Sequence, residues 1–508
     1  MSVTWLDICL GALGLFFVQR ILSKKPLGRL PPGPKKWPLL GNILDMPTSK
    51  EWLTFAEWGR TYGDILSVTV LGHPLIIINS TKIAVDILDK KSAKYSDRAV
   101  MPMAGELVGW KNSLILLPYG ERFREYRRYF HQLIGSKSSM EQFLPVEETE
   151  TRKFLKKVME NPADLATHVR RTAGAIILQI AYGYELQGDD DAFVNLVDRA
   201  VLTFSLSATP GAWLVDLLPF LKHVPAWMPG AGFQRTAKEW KDIVGEMVDM
   251  PYNFTKQQMA AGTAPSSFVS NLLEGRKLST DEVFNIKWSA ASLYSGKLAT
   301  LNDGQTVSAI YSLFLAMTLF PEVQKKAQAE IDAVVGNDRL PSFSDRSQLP
   351  YVEALVKEVL RWNIVAPLAV PHRAEEDDFQ EGYFIPRGSL IIPNIWAMLH
   401  DERLYPSPSE FNPNRYLPTE GKEAQQDPRT MCFGFGRRIC PGLNLAEASL
   451  FISCAMSLAV FDIKRAVENG VEIIPVVDTI PGAITHPVPF KCSIQPRSSK
   501  AAALIQCT

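Results

Sequence analysis

Read for its hydrophobic and polar positions, the chain opens on a mostly apolar run, VTWLDICLGALGLFFVQRIL at residues 3–22, which Asp7 interrupts to leave an unbroken stretch at 8–18. A helix needs about 20 apolar residues to cross a bilayer, so this stretch is short for a full span. No lysine or arginine precedes it, whereas Arg20, Lys24, Lys25, Arg29, Lys35 and Lys36 follow. That order is the reverse of a cleavable signal and points to a retained anchor whose basic flank stays in the cytoplasm. A peripheral or buried helix is the alternative. Next comes LPPGP at 30–34, where each proline fixes its own torsion and restricts its predecessor, giving a stiff connector between anchor and domain.

Beyond the connector the pattern is mainly helical, with short stretches at 65–71 and 74–78 that predict strands. Ser279 followed by Glu282 is a capping-box signal ahead of VFNIKWSAASLYSG. Another helix is expected from Pro321 through EVQKKAQAEIDAVV to a stop at Gly336. No internal repeat interrupts this order. The expected fold is mainly α with small β-sheets, an α+β arrangement: an anchor over 1–22, a basic, proline-rich linker over 23–42 and one large domain over 43–508. A length of 508 residues would suggest three domains, but no composition shift marks a boundary inside the last segment.

With 46% hydrophobic and 21% charged residues the chain can build a sizeable core. Its 54 basic and 54 acidic residues cancel, so nothing global points to nucleic acid, and a charged partner must be recognised by a local patch. The cysteines, at 9, 432, 440, 454, 492 and 507, have neither zinc nor secreted-disulfide spacing, which suggests a reducing compartment. Taken singly, each reads as a small buried hydrophobe or an inert thiol.

One stretch changes that reading for Cys440. Residues 433–442, FGFGRRICPG, offer a glycine-rich turn, two arginines and one cysteine ahead of a helix starting near Leu443. N–H groups of such a turn stabilise a thiolate while a bound metal completes its neutralisation. The stretch resembles the haem-binding loop of the cytochrome P450 family. The resemblance implies a single P450-type haem domain over 43–508, with haem b held by Cys440 as axial iron ligand and with Phe433, Gly436 and Gly442 shaping the loop. An axial thiolate pushes electron density to iron and favours cleavage of a bound oxygen–oxygen bond. Cys432 falls outside the motif and reads as inert.

Glu358 and Arg361 in EVLR lie three apart on one helical face, a spacing common on solvated helices. Their order singles them out: EVLR is followed by FNPNRY at 411–416 and then by the cysteine loop, as in the family. The resemblance implies that Arg415 completes a buried structural cluster with Glu358 and Arg361. Asn414 stands where an acid is more usual, so no role is carried over to it. For the haem propionates the resemblance points to Arg127, His372 and Arg438. Phe123 replaces the usual tryptophan and has no N–H to donate. His372 alone reads equally as a structural histidine.

The family's oxygen-activating helix should follow SAASLYSG at 289–296 and continue through a small residue, an acid and a threonine, but here the chain reads KLATLNDGQTVSAIYS. Counting forward from Gly296 puts Ala299 and Thr300 at the acid and alcohol positions; counting back from TVSAIYS puts Gly304 and Gln305 there. The counts differ by five residues, and five steps of roughly 100° leave a helix about 140° out of phase. The extra residues therefore bulge, with Asn302, Asp303 and Gly304 as turn formers; a faulty gene translation or altered splice product is the other explanation. Thr300, Asp303 and Thr306 are the candidates to recover the proton relay that the acid and alcohol provide.

By family analogy 101–108, 204–209, 364–370 and 483–485 face the substrate, and their mostly apolar character suits a small hydrophobic or aromatic molecule, with core packing as the plain alternative. EWLTFAEWGRTYGDIL and HPVPFKCSI resemble fungal secondary-metabolism members, among them tryptamine and polyketide hydroxylases. No glycine-rich dinucleotide fingerprint is present. Electrons are therefore expected from an NADPH-dependent flavoprotein reductase, docking on a basic face that includes Arg124, Arg128 and Arg437. The resemblance places the protein in the endoplasmic reticulum membrane, single-pass, with a cytoplasmic catalytic domain. Three functions stay open: a monooxygenase, a haem-thiolate isomerase or dehydratase working without a reductase, and a non-catalytic haem or lipid binder. Rebuilding 297–305 as a continuous helix with an adjacent acid and threonine should divert less oxygen to peroxide and raise the product formed per NADPH oxidised.

Overall fold

A computed structural model describes residues 27–506 except 39, 189, 190, 210, 299–304 and 422, together with Gly11 and Gly14. Apart from those two glycines, the apolar run at 3–22 lies outside the described residues, as do Thr300 and Asp303.

The described chain is mainly helical with small sheets. It begins with α1 (Glu51–Tyr62), which buries Trp52 and Phe55, and continues into a hairpin of β1 (Ile65–Val70) and β2 (His73–Ile78). Branched residues pair across it, Ile65 opposite Ile78 and Val68 opposite Leu75, as suits a half-buried pleated surface. Leu71 and Gly72, both at positive φ (48° and 87°), form the two-residue turn, whose twist matches that of the strands. β3 (Asp97–Arg98), β4 (His372–Arg373) and β7 (Leu390–Pro393) complete a five-stranded sheet in the order β1-β2-β7-β4-β3. β5 (Asp378–Gln380) and β6 (Tyr383–Ile385) pair with each other, and β8 (Phe461–Glu468) lies between β12 (Cys492–Pro496) and β9 (Val471–Ile473). β10 (Thr479–Ile480) pairs with β11 (His486–Pro487).

The proline-rich stretch lies on the sheet. Ser67 donates from Oγ to the Pro31 carbonyl at 2.7 Å and from its backbone N–H to the Pro32 carbonyl at 2.8 Å.

The helical body comprises α2 (Glu121–Ile134), α3 (Leu144–Glu160), α4 (Leu165–Tyr182), α5 (Ala192–Ser207), α6 (Gly232–Ala260), α7 (Thr280–Leu298), α8 (Gln305–Leu319), α9 (Pro321–Val334), α10 (Pro350–Trp362), α11 (Leu443–Val460) and α12 (Ser499–Gln506). The capping box forms at the start of α7: the Ser279 N–H donates to Glu282 Oε2 at 2.9 Å, and the Glu282 N–H donates back to Ser279 Oγ at 3.2 Å. α9 starts at Pro321, and Gly336 just beyond its end takes a φ of 76°. α11 is long and apolar enough to cross a membrane, but 78% of it is buried inside the protein, the place of a core helix. It packs on α3, α8, α9 and α10.

Asn394 knits α1 to the sheet. Its Nδ2 donates to the Trp52 carbonyl and to Asn79 Oδ1, both at 2.9 Å, and its Oδ1 accepts the Ala397 N–H at 3.2 Å. Asn394 is fully buried, so Asn394→Ala leaves unpaired partners away from water. It should lower the unfolding free energy by about 1–3 kcal/mol, read from urea denaturation.

Candidate active site

The cysteine loop is shaped from within. The Cys440 N–H donates to the Phe433 carbonyl at 2.8 Å and the Ile439 N–H to the Gly436 carbonyl at 3.2 Å. Gly436 has a φ of +56°, and a Cβ there would lie 2.0 Å from the carbonyl oxygen of Leu88 in the helical turn Val85–Lys90. Only glycine lets the loop press against that turn. Burial pushes the Cys440 thiol pKa up, while the Gly442 N–H bonded to it and the Arg127 guanidinium favour the anion.

Around the loop the structure gathers positive charge. The β3–β4 ladder sets Arg98 opposite His372. Arg438 donates from Nε to the Ser96 carbonyl and from Nη2 to the Leu117 carbonyl, both at 2.7 Å. Arg98 donates to the carbonyls of Ile115 at 3.1 Å, Val370 at 2.7 Å and Pro371 at 2.9 Å. Arg127 donates to the Ile439 carbonyl at 2.6 Å. Among the described residues none of these three guanidiniums is paired with a carboxylate. Asp97, the acid acting on Arg98 and Arg438, is itself engaged by Arg373 and by the Tyr119 N–H. Burial lowers the Arg438 pKa to about 10, and burial followed by Arg438 holds Arg98 well below the usual guanidinium range. Burial and then Arg98 hold His372 well below the usual imidazole range. Its Nδ1 is 2.7 Å from the Tyr95 carbonyl. Phe123 lies under Arg438, with the guanidinium carbon 3.9 Å from the ring centroid, a cation–π contact in place of an indole donor.

Glu358, Arg361 and Arg415 come together. Arg361 grips Glu358 with two bonds of 2.8 Å, and Arg415 reaches it at 3.2 Å. The Tyr416 hydroxyl donates to Glu358 at 3.2 Å and the Asn412 N–H at 2.8 Å. Glu358 and Arg361 are completely buried. Asn414 stands outside this set and accepts a bond from Lys326 at 2.6 Å.

The segments read as substrate-facing fall into two groups. Trp110, just beyond 101–108, donates to Thr203 Oγ1 at 3.3 Å and meets the Phe204 ring edge-on at a centroid distance of 5.2 Å. Thr485 bonds the Ile364 carbonyl from Oγ1 at 2.7 Å and the Val365 carbonyl from its N–H at 2.8 Å, while Ser308 of α8 donates to the Thr485 carbonyl at 2.6 Å. Thr306 is buried in the first turn of α8.

The family described as Cytochrome P450 matches residues 31–494. The chain belongs to the cytochrome P450 family. It is 54% identical over 493 residues to Cytochrome P450 monooxygenase 208 of Postia placenta, an alignment that covers 97% of this chain and 95% of that one. Identity is 46% over 507 residues with Cytochrome P450 monooxygenase claR of Ampulloclitocybe clavipes, covering 99% and 93%. With Cytochrome P450 monooxygenase ppsD of Aspergillus oryzae it is 41% over 509 residues, covering 99% and 95%. The protein is thus an oxidoreductase of the cytochrome P450 monooxygenase kind.

Cytochromes P450 bind haem through a cysteine thiolate, and the residues present here fit that group. Two buried guanidiniums, Arg98 and Arg438, and the partly buried Arg127 bond to carbonyls and form a positive cluster beside Cys440 with no carboxylate bonded to it among the described residues. A buried charge of that kind needs an anion, and two propionates and a thiolate supply it. Arg98 escaped sequence reasoning because SDRAV carries no motif; only the strand pairing with His372 reveals it. Removing one partner of a buried ion pair costs about 3–5 kcal/mol because the other charge stays inside. Glu358→Ala should therefore yield little haem-loaded protein, measured as the haem-to-polypeptide ratio after purification.

Proposed function

We propose that this cytochrome P450 inserts one oxygen atom from dioxygen into a small, mostly apolar organic substrate of fungal secondary metabolism, using electrons from an NADPH-dependent flavoprotein reductase. The observation that carries this reading is the cysteine loop set against a largely buried arginine cluster that bonds carbonyls and no carboxylate among the described residues. Haem bound there supplies the reductive activation of dioxygen.

The chain's own residues do the rest. Cys440 ligates the iron, with Phe433, Gly436 and Gly442 shaping its loop. Arg98, Arg127 and Arg438 neutralise the propionates, and His372, kept neutral by burial, spends its single N–H on the Tyr95 carbonyl and so fixes the strand pair that carries Arg98 beside them. Glu358, Arg361 and Arg415 hold the segment ahead of the loop. Thr306, with Thr300 and Asp303, is assigned the proton relay. Apolar residues of 101–108, 204–209, 364–370 and 483–485 orient the substrate and exclude water. The run at 1–22 anchors the protein in the endoplasmic reticulum membrane, 23–42 links it, and 43–508 forms the cytoplasmic catalytic domain, with Arg124, Arg128 and Arg437 facing the reductase.

The absence of an acid–alcohol pair in either register of 297–305 favours a second reading, a haem-thiolate isomerase or dehydratase that needs no reductase. Turnover under isotopically labelled dioxygen, with reductase and NADPH, separates the two. The monooxygenase is expected to give product with one labelled oxygen and none without NADPH, using substrates first found by spectral titration of small apolar and aromatic compounds. Label-free product formed without NADPH would overturn it, and Cys440→Ser should abolish the thiolate-type carbon-monoxide spectrum.

A further inference from the structure

α10 carries charge on two sides. Glu358 bonds both Arg361 and Arg415, whereas Glu353 and Lys357 face the short helix Arg429–Cys432 and the turn before it, which lead into the cysteine loop. From there Arg429 donates to Asp427 at 2.8 Å, to Glu353 at 3.1 Å and to Glu447 of α11. Arg346 grips Glu353 at 3.0 Å, and Lys357 lies 3.3 Å from Asp427. Asp427, Glu353 and Glu447 thus balance Arg346, Lys357 and Arg429. The network is neutral, unlike the arginine cluster beside Cys440. The side chain of Glu447 is 7% exposed and that of Arg429 22%, so water screens their bond weakly.

What this network joins gives it a role. Arg429 precedes Cys440 and Glu447 follows it, so their bond spans the loop from its leading segment to the second turn of the helix behind it. Elsewhere α11 is held by apolar packing, which is non-directional, and by bonds from Ser449 to Glu147 at 2.8 Å and from Asn444 to the Ile134 carbonyl at 3.3 Å, neither of which ties it to the segment ahead of the loop. A charge-assisted bond is directional and opposes sliding. We infer that Arg429 and Glu447 form an ionic staple across the base of the loop that positions the Cys440 sulfur against the haem iron. They are positioning residues that touch neither iron nor substrate. The inference rests on Cys440 being the haem ligand.

Glu447→Gln keeps the side chain's shape and removes its charge. The reduced, carbon-monoxide-bound protein should lose its thiolate-type band to the thiol-type band about tenfold faster than the parent. The haem midpoint potential should move to more positive values, because a loosened thiolate stabilises ferric iron less. Glu468→Gln, which breaks the exposed pair with Lys491, should move neither readout. A lower unfolding temperature with unchanged potential and conversion rate overturns the staple and leaves the pair merely structural. If Glu447→Gln yields no haem protein, Arg429→Lys, which keeps the charge but loses the planar fork, is measured the same way. An intermediate shift then supports the staple, and parental values overturn it. A parent protein with no thiolate-type band would instead overturn the ligand itself, a result distinct from failure of the staple alone.

Discussion

Burying a thiol in an apolar interior favours its protonated form, yet a metal ligand must be the anion. The fold around Cys440 is organised by that conflict. The Gly442 N–H and the Arg127 guanidinium favour the anion directly. For the haem ligand proposed at Cys440, the rest of the stabilisation would come from the metal, and the loop would hold the sulfur where iron could reach it. Gly436 pressed against Leu88, the Cys440 N–H on Phe433 and the start of α11 all restrict where that sulfur can be.

The buried and partly buried arginines divide by whether a carboxylate is bonded to them. Arg361 and Arg415 both bond Glu358, and Arg429 meets three carboxylates, so each of these has a carboxylate partner and holds a segment in place. Among the described residues Arg98, Arg127 and Arg438 bond carbonyls, which satisfy donors, and no carboxylate. Carbonyl bonding of this kind is costly in a dry interior unless an anion arrives. The difference separates scaffold from candidate site without reference to any motif.

Two departures from the family pattern are absorbed differently. Phe123, which has no N–H, keeps its place by stacking beneath Arg438, so the guanidinium retains an aromatic neighbour while a propionate donor is lost. Asn414 is simply released from the Glu358 cluster, where the Asn412 N–H and the Tyr416 hydroxyl already complete the carboxylate. The unusual stretch between α7 and α8 is of another kind. Residues 299–304 of it lie outside the described residues, and beyond them Ser308 reaches across to Thr485, tying α8 to the segment at 483–485.

Local order was legible in the chain because local chemistry sets it. The strands at 65–78, the capping box at Ser279, the helix opening at Pro321 and the FGFGRRICPG loop each follow from neighbouring residues alone. Chain order also marked Glu358, Arg361 and Arg415 as one group. Arg98 and the bond from Arg429 to Glu447 were not legible, since each depends on partners far along the chain: His372 meets Arg98 only through a strand pair, and Glu447 meets Arg429 only because a loop folds back. A charged side chain looks the same in sequence whether water or a buried partner answers it. Only burial and the identity of that partner, both properties of the tertiary structure, decide which it is.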